Sequence, residues 1–389
     1  MKGLVLEAKW EPKSDYKLSS WEKKTGKAIT GNSVWRNPRL RIKEVPKPKV
    51  SAKEVLIKVK ACGVCGSDMH FYETDKENYV MYPGLTKFPC IIGHEFSGEV
   101  VETGKEVKDF KAGDMVCAEE MIWCGECKPC RDGYPNQCEN LEEIGFTING
   151  AFAEYIAIGA KYCWKIEALV SRYKSKDLAY EAAATVEPNC VAYNGMFECA
   201  GGFKPGGYVV VYGAGPIGLS SIALAKASGA AKVIAFEVSK GRRRLAKKMG
   251  ADFVFDPRAL EKRGSSPSIE VRKLTSNFGA DLQVEAAGAP TKTIPQMEES
   301  MAIGGKIVQI GRAAERVPMY LENFQVKKAK VFGAQGHSGY GTFPNVIRLI
   351  AAGQIDPLKM ITAHYSLDKA VDAIAQSTRR EDGKIIVKM

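Results

Sequence analysis

The sequence predicts an α/β chain, with a doubly wound parallel sheet in its second half and a β-rich region before it. Three observations carry this. From Val209 onward apolar strands alternate with helical stretches: Val209–Tyr212, Pro216–Ser228, Lys232–Glu237, Arg242–Met249. That order is the signature of βαβ units. Before about Tyr180 the apolar residues fall in short runs bounded by glycine. Val55–Ala61 among them alternates apolar and polar positions, as a half-buried strand does. Thirdly, the glycines of Gly213-Ala-Gly-Pro-Ile-Gly218 lie between a strand and a helix.

Taken in order, Met1–Leu6 is the first strand. The polar stretch Lys9–Arg41, with three tryptophans, is an insertion ahead of Val45–Pro48. Gly93–Gly104 and Lys111–Cys117 continue the β pattern, and Gly145–Ile158 is a hairpin feeding a strand. Asp281–Glu285 and Lys306–Ile310 add strands to the parallel sheet. After about Gly333 the alternation stops, and helices Phe343–Ala352 and Leu367–Gln376 lead to a last strand, Lys384–Val387.

A length of 389 residues predicts two or three domains. With 45% hydrophobic and 26% charged residues the composition is that of a soluble globular protein. No run is long and apolar enough for a membrane span, and no signal-peptide core is present, so a cytoplasmic protein without a membrane partner is expected. The net charge of +11 raises a nucleic-acid partner as an alternative. The basic residues are scattered, however, and no nucleic-acid partner is expected.

The glycine-rich turn has the spacing and context of a dinucleotide site. Gly213 permits the tight turn, Gly215 lets the pyrophosphate approach the backbone, and Gly218 lets helix and strand pack. The helix N-terminus offers free N–H groups to phosphate. Glu237, at the end of the next strand, suits the adenosine ribose hydroxyls and repels a 2′-phosphate. That favours NAD over NADP, although Lys240 and Arg242 lie close by.

Of the 11 cysteines, four form Cys124-x2-Cys127-x2-Cys130-x7-Cys138. Four thiolates fill a tetrahedral zinc and leave no place for substrate, so this is a structural site. A second donor set is scattered: Cys65, His94, Glu95 and Glu187. These are competent zinc ligands, and an open position among them would mark a catalytic ion. Adjacent residues such as His94 and Glu95 face opposite ways in regular structure, so which carboxylate serves, Glu95, Glu187 or each in turn, stays open.

Together, Gly93-His-Glu-x2-Gly-x5-Gly104, the four-cysteine loop, Gly150-Ala-Phe-Ala-Glu-Tyr155 and the Gly213 turn resemble the zinc-containing medium-chain dehydrogenase/reductase family. Glu187 in Val186-Glu-Pro188 resembles its polyol and threonine dehydrogenase branch. Trp10, Val34-Trp-Arg36 and the segment from Gln335 to Pro344 resemble members acting on inositol derivatives.

The resemblance implies a GroES-like catalytic domain from 1–190 and 334–389, a Rossmann domain over 191–333, and a homodimer or homotetramer. It implies one catalytic and one structural zinc and an NAD-linked oxidation of a secondary hydroxyl on a small polyol or cyclitol. L-threonine or an acyclic polyol is the alternative substrate, and a zinc-ribbon nucleic-acid binder is the alternative of another class. The ion would lower the pKa of the substrate hydroxyl, and hydride transfer belongs to the nicotinamide. Ser67 and His70 stand where the family has its proton relay, and Asp68 where it has a carboxylate orienting the zinc-bound histidine. Candidate cofactor contacts are Gly213, Gly215, Pro216, Ile217, Gly218, Glu237, Arg242, Gly311 and Arg312. Gln335, His337 and Glu120 are candidate substrate contacts.

Overall fold

The computed structural model describes residues 1–312 and 316–389. The chain divides into two compact units. The first comprises Met1–Glu187, Thr362–Arg379 and Lys384–Met389, and the second Pro188–Ile361 and Arg380–Gly383.

The first unit is built on a seven-stranded sheet. Its central strand Glu54–Gly63 pairs antiparallel with Glu95–Thr103, with Tyr155–Gly159 and with the C-terminal strand Lys384–Lys388. Every second residue of Val55–Val59 is fully buried, as the alternation predicts. A three-stranded sheet lies beside it, in which Lys2–Trp10 pairs with Trp35–Glu44 and Cys90–Ile91. The ends of the expected insertion are therefore strand, since Trp10 lies opposite Trp35. Only the stretch between them departs from the sheet. It holds a short α-helix, Ser20–Thr25, opened by a Ser19–Glu22 capping box and closed by left-handed Gly26, and a single 3-10 turn, Gly31–Ser33.

The second unit carries six parallel strands in the order Phe253–Phe255, Lys232–Phe236, Tyr208–Tyr212, Ala280–Glu285, Met301–Gln309, Lys330–Gly333. Its central strands are buried on both faces, which is why Val209-Val-Val211 and Val233-Ile-Ala235 run apolar without alternation. Helix Pro216–Ala227 follows the glycine turn. Helix Lys240–Lys248 starts at Ser239, whose hydroxyl accepts from the Arg242 N–H.

The return to the first unit, expected at 334, comes at Thr362 instead. Segment 334–361 stays with the parallel sheet for a local reason. The Ala334 N–H bonds the Gln309 carbonyl. The Asn194 amide holds the Gln335 and Gly336 carbonyls, and the turn Pro357–Met360 packs on helices Pro216–Ala227 and Lys240–Lys248. Segment Arg380–Gly383 also belongs to the second unit. No helix among the described residues is long and apolar enough to cross a membrane.

Candidate active site

Within the first unit, Cys65 precedes helix Gly66–Tyr72, and its backbone N–H donates to Asp68 Oδ2 at 2.9 Å. His94 lies in the turn before strand Glu95–Thr103. Gly93 enters that turn at φ +91°, where a Cβ would stand 2.6 Å from Phe152. Because His94 precedes the strand, strand alternation does not separate it from Glu95. Donor atoms of Cys65, His94 and Glu95 lie within 4.8 Å of one another. Glu187, at the start of helix Val186–Tyr193, is buried but does not join this cluster.

A residue that sequence reasoning missed completes the group. Lys384 is fully buried, and its Nζ donates to Glu95 Oε1 at 2.7 Å, to Glu95 Oε2, and to the Val64 carbonyl at 3.0 Å. Strand pairing puts it there, because Ile386 lies opposite Gly63 and Gly63 opposite Glu95. Gly63 leaves room for the pair, since a Cβ would sit 2.3 Å from Glu95 Oε2. A second carboxylate would overneutralise a zinc site, but Lys384 balances Glu95 within the fold.

The electrostatics favour a cation. Burial alone would lower the His94 pKa, yet Cys65, Asp68 and Glu187 raise it well above the ordinary histidine value. A field that draws a proton to a buried imidazole also draws a metal ion, which takes the proton's place. Burial pushes Asp68 up to about 6, against the pull of His94 and the Cys65 N–H. Asp68 Oδ1 and His94 Nδ1 have no hydrogen-bond partner among the described residues, so the expected bond between them is not formed. Ser67 Oγ is buried without a partner as well. The His70 side chain is 39% exposed, with Nδ1 3.7 Å from Glu73 Oε2.

In the four-cysteine loop all sulfurs lie within 4.8 Å of one another. Backbone N–H groups of Glu126 and Cys127 donate to Cys124 Sγ at 3.3 Å and pull its pKa down to about 6. Cys138 Sγ accepts from the Cys124 and Asn140 N–H groups at the same distance. Preformed N–H···S bonds around four converging sulfurs fit a closed tetrahedral ion.

In the second unit the turn follows strand Tyr208–Tyr212. Gly213 has φ +90°, and a Cβ on it would meet the Ala287 backbone at 2.8 Å. One on Gly218 would meet the Gly213 carbonyl at 1.9 Å. Pro216 and Ile217 open the helix. Glu237 Oε2 accepts from the Ala214 N–H and Oε1 from the Ser239 N–H, each at 2.7 Å, so the acid also braces the turn. Arg242 lies over Gly215 and donates from Nε to the Asp382 carbonyl at 2.8 Å. Arg243 bonds the Glu237 and Val238 carbonyls and Asp256.

Glu285 is a second residue the sequence did not single out. Fully buried at the end of its strand, it accepts from the N–H groups of Ala287, Gly288 and Ala289 and from Gln309 Nε2 at 3.1–3.3 Å. It thereby ties loop 286–289 to Gly311, where a Cβ would stand 2.4 Å from its carboxylate. Arg312 follows, with its carbonyl beside Gly288. In the first unit Glu120 is buried, and in the second His337 is buried with its ring edge-on to Phe343.

Two family models match the chain: the alcohol dehydrogenase GroES-like domain over residues 51–168 and the zinc-binding dehydrogenase over 216–352. The scyllo-inosose 3-dehydrogenase of Thermotoga maritima is 44% identical over 401 aligned positions, covering 100% of this chain and 99% of that one. The chain belongs to the zinc-binding alcohol dehydrogenases. This dehydrogenase is an oxidoreductase acting on a CH–OH group, of a family that uses zinc and a nicotinamide cofactor. The L-threonine 3-dehydrogenase of Thermococcus kodakarensis is 35% identical, over 88% of this chain and 93% of that one. A solved Thermotoga maritima structure of the alcohol dehydrogenase type superposes with a TM-score of 0.95 at 43% identity, covering 100% of both chains.

Proposed function

We propose that this dehydrogenase oxidises a secondary hydroxyl of a cyclitol, an inosose or a close relative, with NAD as acceptor. The buried convergence of Cys65, His94 and Glu95 carries the reading of the chemistry. The full-length likeness to a scyllo-inosose enzyme supports the substrate class. Cys65 and His94 are the permanent holders of a zinc ion. Glu95, shared with Lys384, is the exchangeable donor, and Glu187 adds negative charge that acts on His94. When bound, that ion lowers the pKa of a hydroxyl presented to it.

The chain's own groups then handle the proton. Ser67 Oγ, buried and unpartnered, accepts it from the substrate hydroxyl. His70, part-exposed, releases it to solvent. A bound nicotinamide would take the carbinol hydrogen as hydride, so that alcohol and NAD would yield ketone, NADH and the one proton these groups carry away. Gly213–Gly218, Gly311 and Arg312 would hold the pyrophosphate. Glu237 would accept from the adenosine ribose hydroxyls and disfavour a 2′-phosphate. Two of the nearby cations are engaged elsewhere, Arg242 with the Asp382 carbonyl and Arg243 with Asp256, which supports NAD over NADP.

NADH formation measured across scyllo-inosose, inositols, acyclic polyols and L-threonine, with NAD and with NADP, tests this. The inosose with NAD is expected to give the highest kcat/KM. L-threonine as best substrate would remove the assignment.

We also propose one catalytic and one structural zinc per chain and a homodimer or homotetramer in the cytoplasm. The eleven cysteines form no disulfide among the described residues, which suits a reducing compartment. Strand Lys330–Gly333 leaves one sheet edge unpaired, with Val331 and the nearby Tyr320, Leu321 and Val326 exposed. Light scattering is expected to give two or four chains per particle. A monomer would contradict it.

A further inference from the structure

We propose that a row of rings running from Trp10 and Trp35 through segment 71–88 acts as an aromatic brace that fixes the orientation of His94, with Phe146 as the positioning residue. Rings run in unbroken contact from the edge of the first unit to the imidazole. Centroids are 5.0 Å apart for Trp10–Trp35, 5.0 Å for Trp35–Phe88, 5.4 Å for Phe88–Phe71 and 5.5 Å for Phe71–Phe146. The last step, Phe146 to His94, is 4.9 Å. Tyr82 doubles the link, at 5.1 Å from Phe71 and 5.0 Å from Phe146. Every ring after Trp10 is buried.

Segment 71–88 is also fastened to the stretch from Lys13 to Trp35, so the column has a rigid base. Lys13 pairs with Asp75 at 2.7 Å, Ala28 and Thr86 exchange backbone hydrogen bonds, and the Val80 N–H bonds the Trp35 carbonyl. The column meets both carriers of the metal donors. Phe71 lies on the helix that Cys65 begins, and the Met81 N–H holds the His70 carbonyl on that helix. Phe146 lies against His94 itself. A close-packed interior transmits displacement along such a row, because the rings have no space to absorb it.

Trp35 serves the row through its ring and not through its indole N–H. Its Nε1 is buried without a hydrogen-bond partner among the described residues, a desolvation cost that phenylalanine would avoid. The ring at that point bridges Trp10 and Phe88.

The proposal rests on reading His94 as a metal ligand, and the test separates the two. Cobalt(II) is placed in the catalytic position of the wild type and of Phe146→Leu, Trp35→Leu, Trp35→Phe and His94→Ala. The visible spectrum and the rate of metal loss to a chelator are then measured. Trp35→Leu touches no donor, yet it is expected to shift the cobalt bands and speed loss of that ion about 10-fold, with Phe146→Leu between about 10- and 100-fold. Trp35→Phe, which keeps a ring in the row, is expected to stay within about 2-fold of wild type. The four-cysteine ion is expected to be retained in all of them, the sign that the first unit is folded. Wild-type spectra and rates in both leucine variants would overturn the brace while leaving the metal site standing. A His94→Ala protein that still binds both ions would overturn the reading of the site and the brace with it.

Discussion

Replacing Cys65 by alanine is expected to lower kcat by at least about 10³-fold while leaving the Kd for NADH within about 2-fold of wild type. The sulfur is one of only two donors in its cluster not shared with a cation, because Glu95 is held by Lys384. Without it, His94 alone cannot keep an ion against water, and the substrate hydroxyl retains its solution pKa. The groups proposed to hold the nucleotide, Gly213–Gly218, Glu237, Gly311 and Arg312, belong to the other compact unit, which has its own core. Turnover and fluorescence titration with NADH read the two effects separately. Activity that survives the substitution would mean that the ion has been assigned to the wrong residues.

Lys384→Met is expected to cost the first unit about 3–5 kcal/mol, the usual consequence of leaving a buried charge without its partner. Lys384 and Glu95 are both fully or almost fully buried, so solvent screens the pair little. The Lys384 pKa is shifted by opposing causes: burial lowers it, while Glu95, Cys65 and Glu187 outweigh burial and raise it. A raised lysine pKa stabilises the fold fully below about pH 10.5, and that contribution is lost as pH climbs through the raised value. Urea unfolding followed by tryptophan fluorescence reads the first unit alone, since all five tryptophans lie in it. The double variant Lys384→Met/Glu95→Gln is expected to recover most of the loss, because no unpaired charge then remains. A single variant as stable as wild type would show that Glu95 finds another cation.

How much was legible depended on how local the determinant is. The glycine turn could be read completely, because each glycine answers to a neighbour a few residues away or to the adjoining loop. The four cysteines were equally plain, since one loop contains all four. Cys65 and His94 could be named as donors from their motifs. Their meeting with Glu95, however, follows from the register of strands Glu54–Gly63 and Glu95–Thr103, which no spacing encodes. Lys384 was invisible for the same reason. It opens an apolar strand, a position that a pattern reading assigns to solvent, and only the pairing of Ile386 with Gly63 turns it inward. The return point at Thr362 escaped notice because an end to strand–helix alternation does not mark an end to packing on the same sheet. The tryptophans of the Lys9–Arg41 stretch read as part of an insertion, whereas the ring that Trp35 meets, Phe88, and those beyond it, Phe71 and Phe146, lie far along the chain.

Metal analysis of the purified wild type beside its Cys65→Ala variant tests the central claim most directly. Two zinc ions per chain falling to one, with the four-cysteine ion remaining, is the predicted result. An unchanged metal content in the variant would contradict the account, because the scattered donors would then hold no ion of their own.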